Sequence, residues 1–591
     1  MENRSSLDRN QIIGFLLITA VLFYFMFMSK DEPTESSNTN TEQVVDEATE
    51  AETTTPTEIA AVDSSSVDTG AQAMVREAEF YTIENEVLKL QFTNKGAQIV
   101  KAQLKDYKSW DSTDLCLVDS SQTLDFSLGN WNSKDAWFDI TERTAYSLEL
   151  TTSTPHGPLS LRWELKEGEY QTDFVVSGQA SESLPLSFNW VQNSIQQEKS
   201  RDLEGRKTQI SYWEIDDNER ESLSENGVDS EEAMDIRWLA HQDQFFSTII
   251  TAEGRFDSAS MKSAPYESGP YIKAFESRVN VQEVNGTYAV DMNMYFGPNK
   301  YDILKEYDMG YDKIIDFGWG IFGWISRGVV VRIFNWLDGY GLNYGLIILL
   351  MALMIKLTLS PLTFQSYKSM AKMRVLRPEI EEINEKHKDD DPLKKQQATM
   401  ELYRKAGVNP LGGCIPQLVQ LPILFAMFRF FPASIELRQE SFWWATDLSS
   451  YDSIATLPFT IPFYGDHVSL FTILMAISTF MYSYMNQQMT GSNSQMPQLK
   501  YIIYFMPFML LFFFNSYAAA LSYYYMISNL ITFGQQYAIR AFINEDALHA
   551  KLQENKKKPK KQNKFQKRLS DAMEQQQQAN QDGNRRMRRM K

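Results

Sequence analysis

The sequence predicts a multi-domain membrane protein. An all-β exterior sandwich joins an α-helical bundle of five core transmembrane helices, with an extra N-terminal anchor helix and a helical hairpin on the inner side. Three observations predict it. Six apolar runs, five of them in the C-terminal half, approach the roughly 20 residues that a helix needs to cross the hydrocarbon core. Short segments of period two fill the interval between the first run and the rest. Lys and Arg concentrate at two places in a chain whose net charge is −19, and that bias orients the bundle.

The first run, residues 12–28, is longer than the apolar region of a usual signal peptide. No small-x-small cleavage site precedes Ser29 and Lys30, so 1–29 reads as an uncleaved anchor. Residues 30–75 are rich in Ser, Thr and Glu with few large apolar side chains. Such a segment cannot bury enough surface to offset its ordering entropy and reads as a disordered acidic tether. Across 76–315 the pattern alternates, as at Leu159, Leu161, Trp163 and Leu165, and likewise at 87–92, 172–177 and 288–296. Turn formers at 94–96, 156–158, 285–286 and 297–299 separate these stretches, which predicts an antiparallel sandwich with one helical interruption at 231–250. Residues 320–340 place Arg327 and Arg332 among Trp324, Ile325, Val329, Phe334 and Trp336, the pattern of an amphipathic helix lying on the outer leaflet.

The core, 341–545, holds spans at 342–360, 413–432, 468–485, 501–517 and 518–539. Between the first two, residues 363–408 read as two helices, 363–388 and 392–406, with a bend at 389–391. Glu381, Glu382 and Glu385 interleave there with Lys386 and Lys388, as in a solvated, salt-bridged hairpin. The last stretch, 546–591, reads as a disordered basic tail, with fourteen Lys and Arg against four Asp and Glu from 551 onward. The charge bias puts hairpin, tail and N-terminus in the cytoplasm and the sandwich outside. The tail cations Lys556, Lys557, Lys558, Lys560, Lys561, Arg585, Arg586, Arg588 and Arg589 suit ribosomal RNA, anionic lipid headgroups, or topology alone. Cys116 and Cys414 fall in different compartments and are not expected to pair. The five histidines lack metal-ligand spacing and no phosphate-binding loop occurs, so no cofactor, metal or catalytic residue is expected.

Lys356 interrupts the run 342–360. A charge inside a span costs roughly 3 kcal/mol or more, so it usually faces protein or water. Two readings stand: the ammonium snorkels to the interface past Pro361, which ends the run, or it faces a polar cavity. Candidate neighbours come from helical spacing: Gln417 with Gln420 on the second core span, and Ser522, Tyr525 and Asn529 on the last. Short polar side chains in spans also simply bond a neighbouring helix. Pro416 and Pro422 are expected to bend their span, and Met370 and Met373 to offer adaptable apolar surface.

Several motifs are specific. Ser360-Pro-Leu362, Ser369-Met-Ala-Lys-Met373, Leu376-Arg-Pro378, Asn409-Pro-Leu-Gly-Gly-Cys-Ile-Pro416 and Gln420-Leu-Pro422 resemble the YidC family of membrane protein insertases, the bacterial branch of a group that includes the mitochondrial Oxa and chloroplast Alb proteins. Tyr524-Tyr525 and Ser528-Asn-Leu530 fit as well. Trp238-Leu-Ala240, Phe245-Phe246 and Tyr295-Phe-Gly-Pro298 resemble, less closely, the Gram-negative form, whose large periplasmic domain is similar to sugar-binding folds. The resemblance implies a non-enzymatic insertase and chaperone of the bacterial inner membrane, acting on nascent membrane proteins alone or beside the Sec translocon, with a tail that contacts the ribosome. It further implies five spans around a hydrophilic groove, open to the cytoplasm and to lipid, that holds one cation. That position is Lys356, where many members carry arginine. Two other classes suit the residues less well. A secondary transporter would suit a charged span but not the absence of an internal repeat, and a tethered carbohydrate-binding protein would use the sandwich alone.

Overall fold

The computed structural model describes residues 76–388, 392–409, 412, 415–462, 464–490 and 497–557. The expected anchor at 1–29, the tether at 30–75, the bend at 389–391, Cys414 and the tail from 558 onward lie outside the described residues.

Antiparallel strands build the first half. β1 (Phe80–Glu84), β2 (Leu88–Thr93), β3 (Ile99–Lys108) and β4 (Asp114–Val118) form a four-stranded sheet in that order. Next in the chain are β5 (Thr123–Leu128), β6 (Trp131–Asn132), β7 (Asp139–Arg143), β8 (Ser147–Thr154), β9 (Gly157–Leu165) and β10 (Gln171–Ile195). After the short α1 (Arg201–Gly205) come β11 (Gln209–Glu214), β12 (Glu219–Ser222), β13 (Asp229–Gln242), β14 (Phe246–Pro265) and β15 (Tyr271–Pro298). These make an eleven-stranded sheet in the order β12-β11-β13-β14-β15-β10-β9-β8-β7, with β5 on β10 and β6 on β5. In β9, Leu159, Leu161, Trp163 and Leu165 are buried and the residues between them are not, the period-two signature of a half-buried strand. The sheets meet through rings: Trp163 stacks on Phe174 at 4.9 Å between centroids and reaches Phe92 of the smaller sheet at 4.8 Å.

Two expectations fail here. The helix at 231–250 is instead β13 and β14, joined by a tight turn. Every residue from 238 to 252 is buried, and a strand buried on both faces loses the alternation that marks it in sequence. The turn at Asn285 and Gly286 lies inside β15. There the register slips from Ala180↔Gly286 to Leu184↔Val284, and Gly286 takes a φ of 61° that only glycine adopts without strain.

The second half is helical. After α2 (Tyr301–Glu306), α3 (Gly320–Ile325), a π-helical turn at Ser326–Val330 and α4 (Val331–Asp338) form one amphipathic segment. Val330, Phe334 and Leu337 are buried, while Trp319, Trp324 and Trp336 are exposed. α5 (Tyr344–Val375) runs for 32 residues straight through Pro361, so no break separates it from a helix starting at 363. Proline removes one donor from the helix ladder. Beside the Leu357 carbonyl that this leaves without its helical donor, Ser360 Oγ and Gln535 Nε2 each donate to the Lys356 carbonyl at 3.0 Å. The break comes at Leu376, one residue before α6 (Arg377–Lys386), whose first turn accepts Pro378. α7 (Pro392–Ala406) follows, then α8 (Ile415–Ala433), α9 (Leu470–Thr490), α10 (Pro497–Phe514) and α11 (Ala519–Phe542). Between α8 and α9, β16 (Ala455–Ile461) and β17 (Gly465–Val468) pair as a hairpin that the sequence pattern did not suggest. Among the described residues one helix, Tyr344–Val375, is by length and composition apolar enough to cross a membrane; Leu418–Ala433 and Tyr504–Phe514 are shorter apolar segments.

The tail is not disordered from 546. α12 (Glu545–Lys557) seats Leu552 among Tyr367, Met370, Leu376 and Val408, and pairs Lys556 with Glu379 and Glu545 with Arg374. Acidic residues in its first turn and lysines in its last suit the helix dipole.

Buried polar ties join the two halves. Arg438 Nε donates to Glu198 Oε1 at 2.6 Å, with the two side chains 3% and 5% exposed. Gln244 Nε2 donates to the Pro432 carbonyl at 3.0 Å, and Arg429 pairs with Asp316. Burial would raise the Asp316 carboxyl, but Lys207 and Arg429 hold it down at about 2. Three acids at the junction behave oppositely. Burial pushes Glu204 well above the carboxylate range, and Asp243 and Glu198 up to about 7, against the pull of Ser194 and Lys273 on Asp243 and of Arg438 on Glu198. An acid raised in the folded state contributes stability below its unfolded value, near 4, and loses it as pH rises through the folded value. The apparent melting temperature of the full chain, followed by tryptophan fluorescence, is therefore expected to fall between about pH 4 and pH 7. Asp243→Asn should flatten that slope; an unchanged slope would exclude Asp243 as its source.

Candidate functional site: a polar cleft around Lys356

Lys356 is the thirteenth residue of α5, which at 1.5 Å per residue places it about 18 Å along the axis from Tyr344. Its flanking turns are apolar, so the helix delivers one ammonium into an otherwise greasy layer. The side chain is 6% exposed and its Nζ donates to Gln420 Oε1 of α8 at 3.1 Å. Among the described residues no carboxylate forms an ion pair with it. An ammonium carries three donors, and Gln420 takes one.

Around this pair lies a cleft of about 530 Å³, part of it open, walled by four helices. α5 contributes Leu359, Thr363, Ser366 and Tyr367, α9 contributes Tyr482 and Asn486, and α11 contributes Thr532 and Gln535. Gln535 fastens the wall, donating to the Lys356 carbonyl and, at 2.8 Å, to Ser360 Oγ. Polar groups thus line the cleft together with Leu359, Leu362 and Met370 of α5. Nothing in this lining is a nucleophile beside a base, and among the described residues no cluster of His, Cys, Asp and Glu could hold a metal. The arrangement suits reversible recognition of polar or anionic groups within an apolar layer.

The structure brings together Lys356 and Gln420 and sets Ser522, Tyr525 and Asn529 apart. Gln417 lies on α8, but its side chain is outside the described residues. Ser522 is fully buried and bonded to Thr472 Oγ1 at 3.0 Å. Tyr525 packs its ring 6.0 Å from that of Phe514. Asn529 Nδ2 donates to Ser478 and Thr479 of α9, both at 3.0 Å, and so ties α11 to α9. These three lie on α11 toward its N-terminus, beyond Thr532 and Gln535. The missed lining residues had a signal: the spacing 522, 525, 529 continues to Thr532, and Tyr482 and Asn486 stand four apart. Pro416 falls in the first turn of α8, where its missing N–H is tolerated, whereas Pro422 lies inside the helix. Of the tail cations, Lys556 is held by Glu379 and Lys557 ends α12; Lys558, Lys560, Lys561, Arg585, Arg586, Arg588 and Arg589 lie outside the described residues.

Known proteins resemble both halves. Residues 81–331 match the YidC periplasmic domain family and residues 336–546 the 60Kd inner membrane protein family. A membrane protein insertase YidC of Parabacteroides distasonis is 36% identical, aligned over 97% of this chain and 98% of its own length. One of Bacteroides fragilis is 35% identical over 97% and 98%. The chain belongs to the YidC family of membrane protein insertases. The insertase is accordingly an inner-membrane protein with a periplasmic domain and is not an enzyme. A solved active YidC insertase with its first transmembrane domain resolved aligns at a TM-score of 0.32 and 18% identity, covering 78% of this chain and 92% of that one.

Proposed function

We propose that the insertase works through the Lys356 cleft: hydrophilic parts of a nascent membrane protein enter it, and the flanking apolar segment leaves sideways into lipid. The observation that carries this is Lys356 buried against Gln420 within a polar-lined cleft on an apolar helix. Polar groups partway into the bilayer shorten the low-dielectric path that a charged segment must cross. An attraction of about 1 kcal/mol in water grows to about 4 kcal/mol at an effective dielectric near 20. Burial of the client's apolar segment, at about 25 cal/mol per Å², then favours release into lipid.

On this reading residues 341–545 form the insertase core, with five spans around a groove that opens to the cytoplasm, and 363–408 stand on the cytoplasmic side. Both termini are cytoplasmic by the Lys and Arg bias. The basic residues beyond 557 meet ribosomal RNA or anionic lipid, and the Sec translocon is a partner for part of the client range. The deciding experiment places a photo-crosslinking side chain at Thr363 and, as a lipid-facing control, at Phe480, with ribosomes stalled on a short single-span client. Adducts from Thr363 but not from Phe480 are expected. Silence at Thr363 alongside a client that still inserts would remove the cleft from the route.

A further inference from the structure

The hairpin β16–β17 plays no part in the cleft. Its root is fixed at the side of the periplasmic domain: Lys199, just past β10, sits 4.3 Å from the Tyr451 ring centre and donates to the Tyr451 carbonyl at 3.4 Å. His467 of β17 is buried and bonds the Asn515 carbonyl, just past the end of α10, at 2.9 Å. The hairpin therefore springs from the periplasmic ends of α9 and α10.

Beyond that root its composition changes. The thirteen residues 453–465 include no Asp, Glu, Lys, Arg or His. No residue of β16 is buried, and Phe459 is 61% exposed. An exposed strand edge ordinarily invites another strand. Here Pro458 inside β16 and Pro462 just past it remove backbone donors, which makes the free edge a poor template for a protein partner. Trp443, whose ring lies 6.3 Å from that of Phe471 in the first turn of α9, and Trp336, in α4 just ahead of α5, are exposed as well. An uncharged apolar ribbon beside exposed tryptophans, where apolar helices end, matches the chemistry of the boundary between headgroups and acyl chains.

We propose that the β16–β17 hairpin lies in the outer-leaflet interface of the bilayer, with Phe459 at the acyl boundary. The proposal rests on α9 and α10 crossing the membrane, and its test separates the two. In the full chain with Cys116→Ser and Cys414→Ser, an environment-sensitive fluorophore is attached at Phe459→Cys, at Val228→Cys on the periplasmic domain, or at Ile477→Cys on α9. Both Val228 and Ile477 are exposed, at 68% and 52%, so labelling disturbs no core. The protein is reconstituted into phosphatidylcholine–phosphatidylglycerol vesicles carrying nitroxide lipids, with aqueous iodide as the competing quencher. Position 459 is expected to be quenched several-fold more by a shallow nitroxide than by iodide, 228 the reverse, and 477 by a deep nitroxide. If 459 behaves like 228 while 477 meets the deep nitroxide, the hairpin is aqueous and the proposal falls. If 459 is open to iodide in vesicles yet crosslinks to another protein in native membranes, the face belongs to that protein, and the proposal again falls. If 477 also escapes the nitroxides, the span reading falls with it.

Discussion

Lys356→Ala is expected to reduce insertion of clients with acidic translocated segments by about tenfold, a loss near 1.4 kcal/mol. Lys356→Arg should retain most activity. The figure is a fraction of the about 4 kcal/mol that two unit charges 4 Å apart exchange at an effective dielectric near 20, since the client carboxylate also gives up hydration. Lys356 touches Gln420 and lines the cleft, so its removal also leaves a glutamine without its partner. A client pair that differs only in having Asp or Asn in the translocated segment separates the two effects. If insertion of the Asn client falls as far as that of the Asp client, the lysine holds the cleft together and does not recognise charge. Arginine keeps the charge and five donors but is larger and forked, so a modest loss there would measure how closely the cleft fits an ammonium.

Arg438→Leu is expected to destabilise the full chain by about 3–5 kcal/mol, because it strands Glu198 among buried groups. Arg438 also donates to the Gln197 carbonyl at 3.3 Å and lies 5.1 Å from the Phe246 ring centre. It thus clamps the segment after α8 onto the end of β10. Burial already lifts the Glu198 carboxyl to about 7 against the pull of Arg438, and with Arg438 gone, burial and the nearby Asp447 and Asp243 would push it further up. Glu198→Gln in the same background should recover a large part of the loss, because a neutral amide costs far less to bury than a carboxylate. Chemical denaturation of the detergent-solubilised protein gives both numbers. A single-variant loss below about 1 kcal/mol would place the pair among weak surface contacts instead.

Much of the architecture was legible because it rests on local patterns. Leu159, Leu161, Trp163 and Leu165 announce a strand by alternation, and they lie in β9. The run expected at 392–406 is α7, with the same ends. Illegible elements are those whose burial pattern is set by distant neighbours. Residues 238–252 lose alternation because β13 and β14 are covered on both faces. Residues 546–557 read as polar tail because only two leucines, Leu548 and Leu552, are buried, and Leu552 finds its partners on α5, α6 and the segment after α7. Pro361 reads as a stop because proline removes a helix donor, yet α5 continues through it, braced by Gln535, 179 residues from Lys356, on the Lys356 carbonyl and Ser360 Oγ.

The site divides in the same way. Charge bias, apolar run length and the isolated lysine are properties of the chain itself, since transfer out of water depends on what a side chain is before it depends on where it packs. From these the sequence determined an inner-membrane protein with a β-rich periplasmic domain and Lys356 as its unusual cation. Only tertiary structure decided which polar residue meets that lysine. Gln420 does; Asn529, equally polar and equally well spaced, spends its amide on Ser478 and Thr479. A helical repeat places residues on a face, but the rotation of each helix about its axis is set by packing against its neighbours. Position along the axis does the rest: Thr532 lies at the cleft, while Ser522, on the same face about 15 Å nearer the N-terminus of α11, meets Thr472.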